Sequence, residues 1–149
     1  MFKELIAAMI IVESGGDPNA VGKNGELGIL QQKEIFVNDV NRIMELQHRK
    51  RRYTYEDRLN PERAKDMADE WLHHYYRIYG LDHDYMPSIL DMAGIYNAGY
   101  NGYITGAWKS EQVQVYQEKV KDVILNKIES QLRPNIWTKT KEEENGTND

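Results

Sequence analysis

Residues 2–16, FKELIAAMIIVESGG, narrow the fold more than any other stretch of the chain. Phe2, Leu5, Ile6, Met9 and Ile10 recur at the i, i+3, i+4, i+7, i+8 spacing of a helix with one buried face. With Phe2 at zero on a wheel turning about 100° per residue, the other four fall within about 80° either side. Glu13 lands about 20° from Phe2, so its carboxylate shares the apolar stripe. Gly15 and Gly16 then close the helix, as glycine does just past a C-terminus. A chain that begins this way must pack this helix against other apolar surfaces, and it carries one acid into that packing.

The same period recurs downstream. A second helix is expected over about Lys33 to His48, with Phe36, Val40, Ile43, Met44 and Gln47 inward. The intervening DPNAVGKNGELG is turn chemistry, and Asn24-Gly25 is suited to closing a short β-hairpin near residues 20–28. HRKRRYTYEDR reads as an exposed, charged connection. Asn60-Pro61-Glu62 is a helix start, with Asn as cap and Pro at the first position. Ala64, Met67, Ala68, Trp71, Leu72 and Tyr75 carry that helix to Gly80, its expected terminator. A fourth helix runs from near Pro87 to Tyr96-Asn97-Ala98-Gly99. A fifth spans about Ser110 to Ser130, with Val113, Tyr116, Val120, Val123, Ile124 and Lys127 on one face. Pro134 is taken as its limit. The chain therefore reads as a mainly α domain over residues 1–133, followed by a polar, disordered tail over 134–149.

With 149 residues, one compact domain has room for a sizeable core. The net charge of −5 argues against nucleic acid as a partner. The basic run His48 to Tyr53 is read as a solvated face. There is no cysteine, so thiol chemistry and disulfides are absent. His73 and His74 diverge on a helix, and Asp82-His83-Asp84 lacks the spacing of a known metal site, so no metal and no cofactor are expected. No run approaches the roughly 20 apolar residues of a membrane span. The first residues lack the form of an export signal.

Glu13 is the residue with chemistry to offer. Apolar surroundings disfavour the ionised carboxylate, and so does the negative end of its own helix. A carboxyl kept protonated near neutral pH is what a general acid for glycosidic cleavage requires, because the departing oxygen would otherwise leave as an alkoxide.

Four segments carry a resemblance to a known family. IIVESGGDPNAVGKNGELGILQ resembles the first motif of the soluble lytic transglycosylases and goose-type lysozymes, where a helix ends in Glu-Ser and a short loop leads to Gly, then Leu or Ile, then Met or Leu, then Gln. RLNPERAKDMADEWLHHYYRIYG is similar to the family's next helix, MAGIYNAGYNG to its Ala-Tyr-Asn-Ala-Gly motif, and VYQEKVKDVI to its closing helix. The motifs stand in family order over about residues 5–125. The resemblance implies a lysozyme-like (goose-type or SLT) helical domain acting on peptidoglycan glycan strands. It implies Glu13 as the sole catalytic acid and base. It also implies Ser14 as an orienting neighbour, Gly28, Leu30 and Gln31 as the loop contacting the glycan, and Tyr96 and Asn97 as the pair facing Glu13 across the cleft. Two departures stand out. Gln32 to Leu59 is longer and more basic than a minimal member needs, and no proline follows Asn97-Ala98-Gly99.

Within that family the lyase branch uses a single Glu and releases a 1,6-anhydromuramyl end. The goose-type hydrolases instead need a second carboxylate to activate water. Asp17, Glu26, Glu34 and Asp39 are the candidates for that second acid. None is forced by position, which favours the lyase. A glycan-binding module that does not cut is the remaining reading. The expected setting is a chain made in the cytoplasm without a signal peptide and acting on the cell wall, as a bacteriophage virion component or a lysis factor with virion or lysis-system partners.

Overall fold

The computed structural model describes residues 2–50 and 52–144, with side chains described through residue 132. Among these residues the chain forms six α-helices: α1 Lys3–Ser14, α2 Glu34–Leu46, α3 Pro61–His83, α4 Ile89–Ala98, α5 Tyr100–Ile104 and α6 Glu111–Glu144. Two 3-10 turns, Tyr55–Leu59 and Ala107–Lys109, complete the order. The fold is essentially all-α, as the sequence implies. The expected hairpin at 20–28 is reduced to isolated antiparallel bridges, Val21 with Leu27 and Leu27 with Gln32, and no strand forms among the described residues.

Local chemistry sets most helix ends. Gly15 caps α1 in the left-handed region at φ 65°, its N–H donating to the carbonyl of Ile11. Asn60 accepts from the N–H groups of Glu62 and Arg63, and Pro61 opens α3 as expected. α4 starts at Ile89 rather than Pro87. Ser88 is its cap, in a reciprocal arrangement with Asp91.

Three expectations are corrected. α3 does not stop at Gly80 but runs to His83, where Asp84 takes the left-handed cap at φ 57°. Gly80 is a packing glycine: a Cβ there would overlap Met86 Sδ. Residues 48–58 are not simply an exposed connection, since Tyr53 and Arg58 are buried and Tyr55–Leu59 is a capped 3-10 turn. α6 runs to Glu144, through Pro134 and beyond the expected helix end near Ser130. A proline inside a helix forfeits one backbone bond but does not forbid helix on either side. The last part of the expected tail, residues 145–149, lies outside the described residues.

The core is a single cluster. Phe2 and, from α1, Leu5 and Met9 join Ile43 and Met44 of α2, Met67 and Leu72 of α3, Met92 and Ile95 of α4, and Val113 and Val120 of α6. α6 lies against both α1 and α4, the two helices that end at the Glu13 and Tyr96–Asn97 segments. Among the described residues no helix is long and apolar enough to cross a membrane.

Candidate active site

A groove of about 820 Å³ opens where the C-terminus of α1, the 17–33 loop, α2, α3 and the α4–α5 junction meet. Glu13 lines it, together with Gln31, Tyr96 and Asn97. These four come from three separate segments, so the groove assembles residues that the sequence sets up to 84 positions apart.

Glu13 is partly buried, and its carboxyl is raised from 4.5 to about 6. Burial is the largest cause. The charge of Glu26 pushes the same way, and a hydrogen bond from Tyr116 opposes both. That bond is 2.8 Å, from Tyr116 Oη to Glu13 Oε1. It fixes one carboxyl oxygen and leaves the other for a ligand. The phenol that touches Glu13 is therefore Tyr116 on α6. Tyr96 donates instead to the carbonyl of Leu30 at 3.3 Å. Both phenols are buried beside an acid, which drives their own ionisation far upward, so they remain donors.

The loop that follows α1 is built from within. Ser14 Oγ donates to the carbonyl of Ile29 at 2.9 Å and accepts from the Gly16 N–H at 3.1 Å, which folds the loop back over the helix end. Gly28, at φ 77°, sits where any Cβ would overlap the Arg58 carbonyl. Gln31 is held in the left-handed region at φ 47°, unusual for a residue with a side chain. Its Nε2 donates to the carbonyls of Gly28 at 2.9 Å and Ala20 at 3.2 Å. Both amide hydrogens are thus committed, and Oε1 is what Gln31 offers the groove. Ser14, Gly28 and Leu30 are not among the groove-lining residues; they stand behind the wall that Gln31 and Tyr96 present.

Of the four second-carboxylate candidates, the structure brings two into the groove, Glu26 and Asp39. Asp39 is fully engaged. Its Oδ2 accepts from Trp71 Nε1 and Tyr75 Oη, each at 2.8 Å, and its Oδ1 accepts twice from Arg42 at 2.7 and 2.9 Å. Its negative charge also holds the Tyr75 phenol up, to about 12, behind burial as the larger cause. Glu26 is ionised below the usual carboxylate range, chiefly by the backbone N–H of Asn24 at 2.8 Å, with Lys33 3.4 Å from its other oxygen. Its Oε2 and the Gln31 Oε1 converge over Gly22, where a Cβ would overlap them.

Aromatic rings also line the groove. Phe36, Trp71 and Tyr96 lie with ring centroids 5.5–5.8 Å apart, and Tyr75 stacks on Tyr100 at 5.0 Å. Two carbonyl oxygens in the groove, Gln32 Oε1 and Asn97 Oδ1, are buried with no protein partner. Such groups ordinarily find a donor.

Sequence reasoning missed Tyr116, Gln32, the Asp39 network and Arg58. Periodicity puts Tyr116 on an inward face without a role; the usable signal is a hydroxyl-bearing ring in a stripe made mostly of Val and Ile. Within the basic run Arg49 pairs with Glu70 at 2.6 Å and Arg52 with Glu45 at 3.7 Å. Among the described residues no three His, Asp or Glu side chains gather to hold a metal ion.

No curated protein matches the chain. The transglycosylase SLT domain, by contrast, matches residues 1–121, which span the whole groove and its supporting helices through Val120. The chain belongs to the transglycosylase SLT domain family, and its activity is of that family's general kind, enzymatic action on a glycosidic bond of peptidoglycan.

Proposed function

We propose that the protein is a peptidoglycan lytic transglycosylase that breaks the MurNAc–GlcNAc β-1,4 bond with Glu13 as the only acid and base. The observation that carries this reading is the carboxyl of Glu13, half-hidden in the groove wall and held near 6 while Glu26 in the same groove stays ionised. Two carboxyls with affinities pushed apart by their surroundings mark an acid and a fixed charge.

The steps balance with one carboxyl. Protonated Glu13 gives its proton to the bridging oxygen as the bond from muramyl C1 to that oxygen breaks, and the GlcNAc 4-hydroxyl departs. The Glu13 carboxylate then takes the proton of the muramyl 6-hydroxyl while that oxygen bonds to C1. The product is a 1,6-anhydromuramyl end, no water is consumed, and Glu13 is protonated again. An attacking hydroxyl on the same sugar has the high effective concentration that replaces a second catalytic group. Tyr116 keeps the carboxyl in one rotamer through both transfers. Gln31 Oε1 and the amide of Asn97 suit the hydroxyl and acetamido groups of the glycan. Ser14, Gly28 and Leu30 act from behind by holding the loop.

A second reading is supported by Glu26. Its ionised carboxylate lines the same groove and could take a proton from water, which would make the enzyme a goose-type hydrolase. Digestion of purified sacculi followed by mass spectrometry of the sugar ends separates the two. Anhydromuramyl ends are expected. Reducing ends alone would move the protein to the hydrolase class, and wall binding with no released ends would leave only a glycan-binding module.

A further inference from the structure

Arg58 is the most deeply buried charge among the described residues, with only 4% of its surface exposed. Its one nearby carboxylate is Glu34, 3.8 Å away and itself well exposed. A buried guanidinium without a close counter-ion is expensive unless its donors are satisfied. Backbone carbonyls do this. Nε donates to Tyr55 at 2.7 Å, and Nη1 donates to both Gly25 and Gln32 at 3.2 Å. Gly25 and Gln32 are the two shoulders of one loop segment. Between them lie Glu26 and Gln31, which line the groove. The Arg58 carbonyl meanwhile fills the space where a Gly28 side chain would stand. The 3-10 turn carrying Arg58 is itself tied down by the Thr54–Asp57 capping box and by Arg63 on Asp57 at 3.1 Å.

We infer that Arg58 is a positioning residue: its guanidinium clamps both shoulders of the 25–32 loop and so fixes where Glu26 and Gln31 stand relative to Glu13. This rests on the reading of Glu13 as the acid. Only a forked cation reaches two carbonyls from one nitrogen while a second nitrogen anchors it to its own turn; a lysine ammonium does not reproduce that geometry. Glu13 is faced by Tyr116 from α6, Tyr96 from α4 and Glu26 from the loop, with Lys33 beside Glu26. The two phenols are un-ionised, so the loop supplies the one negative charge that bears on Glu13. Burial is the larger cause of the raised Glu13 carboxyl; releasing the loop removes the smaller push from Glu26 and so lowers it.

The test is the pH profile of wall cleavage in Arg58→Lys, Glu26→Gln and the double variant, with amide hydrogen exchange on each. In Arg58→Lys the alkaline limb is expected to move to lower pH, with cleavage at pH 7 falling about tenfold for each pH unit it moves. Glu26→Gln should move the limb the same way, and Arg58→Lys should add no further movement in that background. Exchange should quicken at Leu27, Gly28 and Gln32 while α1 and α4 stay protected. A limb that still moves in the Glu26→Gln background overturns the proposal. So does a rate loss equal at every pH with exchange rising across the helices. Should Arg58→Lys fail to fold, Thr54→Ala loosens the same turn from its exposed cap and is expected to shift the limb in the same direction by less; an unchanged profile then overturns the clamp. If the wild-type protein cleaves no wall, the functional reading fails, and loop exchange alone decides for or against the clamp.

Discussion

Replacing Glu13 by Gln should make the protein more stable at neutral pH while removing its activity. The unfolded chain holds this carboxyl at 4.5 and the folded protein at about 6. Folded protein therefore binds the proton more tightly. The contribution of this group to stability is highest below 4.5, declines as pH rises through the interval between the two values, and levels off above about 6. The full cost at neutral pH is about 2 kcal/mol. Glutamine has nearly the same shape, carries no charge, and can accept the Tyr116 bond, so it escapes that cost. For a chain of this length about 2 kcal/mol corresponds to roughly 4–8 °C in melting temperature. The assay is a pair of thermal melts, variant against wild type, at pH 4 and pH 7.5. Every other titrating group is common to both proteins and cancels in the difference. The variant's advantage should grow by roughly 4–8 °C between the two pH values. An advantage that stays constant, or a wild type more stable than the variant at pH 7.5, would refute the argument that burial holds this carboxyl up. Turbidity clearing of sacculi by the same variant should be lost, since the amide can neither give the first proton nor take the second.

Three other outcomes follow from the geometry. Tyr116→Phe removes the one bond that lowers the Glu13 carboxyl, so the alkaline limb of cleavage should move to higher pH. Its kcat should fall about tenfold as the carboxyl rotamer is freed, while thermal melts show a loss of about 1 kcal/mol. Asp39→Ala leaves Trp71 Nε1 and Tyr75 Oη without their acceptor; denaturant unfolding should register about 1–3 kcal/mol, and the Tyr75 phenol should titrate below its present value of about 12. Gly28→Ala combines a left-handed backbone with overlap against the Arg58 carbonyl, so it should destabilise by at least about 2 kcal/mol, measured by the same unfolding, and release the loop.

The parts of the fold and site that the sequence made legible are those encoded locally. Glu13 and its glycine cap are neighbours, and a helical wheel is enough to place the acid on the apolar face. Asn60-Pro61 names its own helix start because cap and first turn are adjacent. Tyr116 lies 103 positions from Glu13, and nothing in its own segment says which helix α6 will meet. Gly80 misled because a glycine in a helical run has two explanations, termination and close packing, and only the approach of Met86 chooses between them. Arg58 misled for a related reason: in a run of charged residues it resembles its solvated neighbours, and its burial depends on three carbonyls gathered from two segments. Asp39 read as surface because its four donors come from α2 and α3 together.

The claim on which the account stands is that Glu13 keeps its proton well above the pH at which an ordinary glutamate loses it. Its side-chain carboxyl carbon can be followed directly by NMR titration of protein labelled at glutamate, with Glu13→Gln assigning the signal. A midpoint near 6 that coincides with the alkaline limb of wall cleavage is the predicted result. A midpoint at 4.5, with cleavage continuing unchanged above it, would contradict the account.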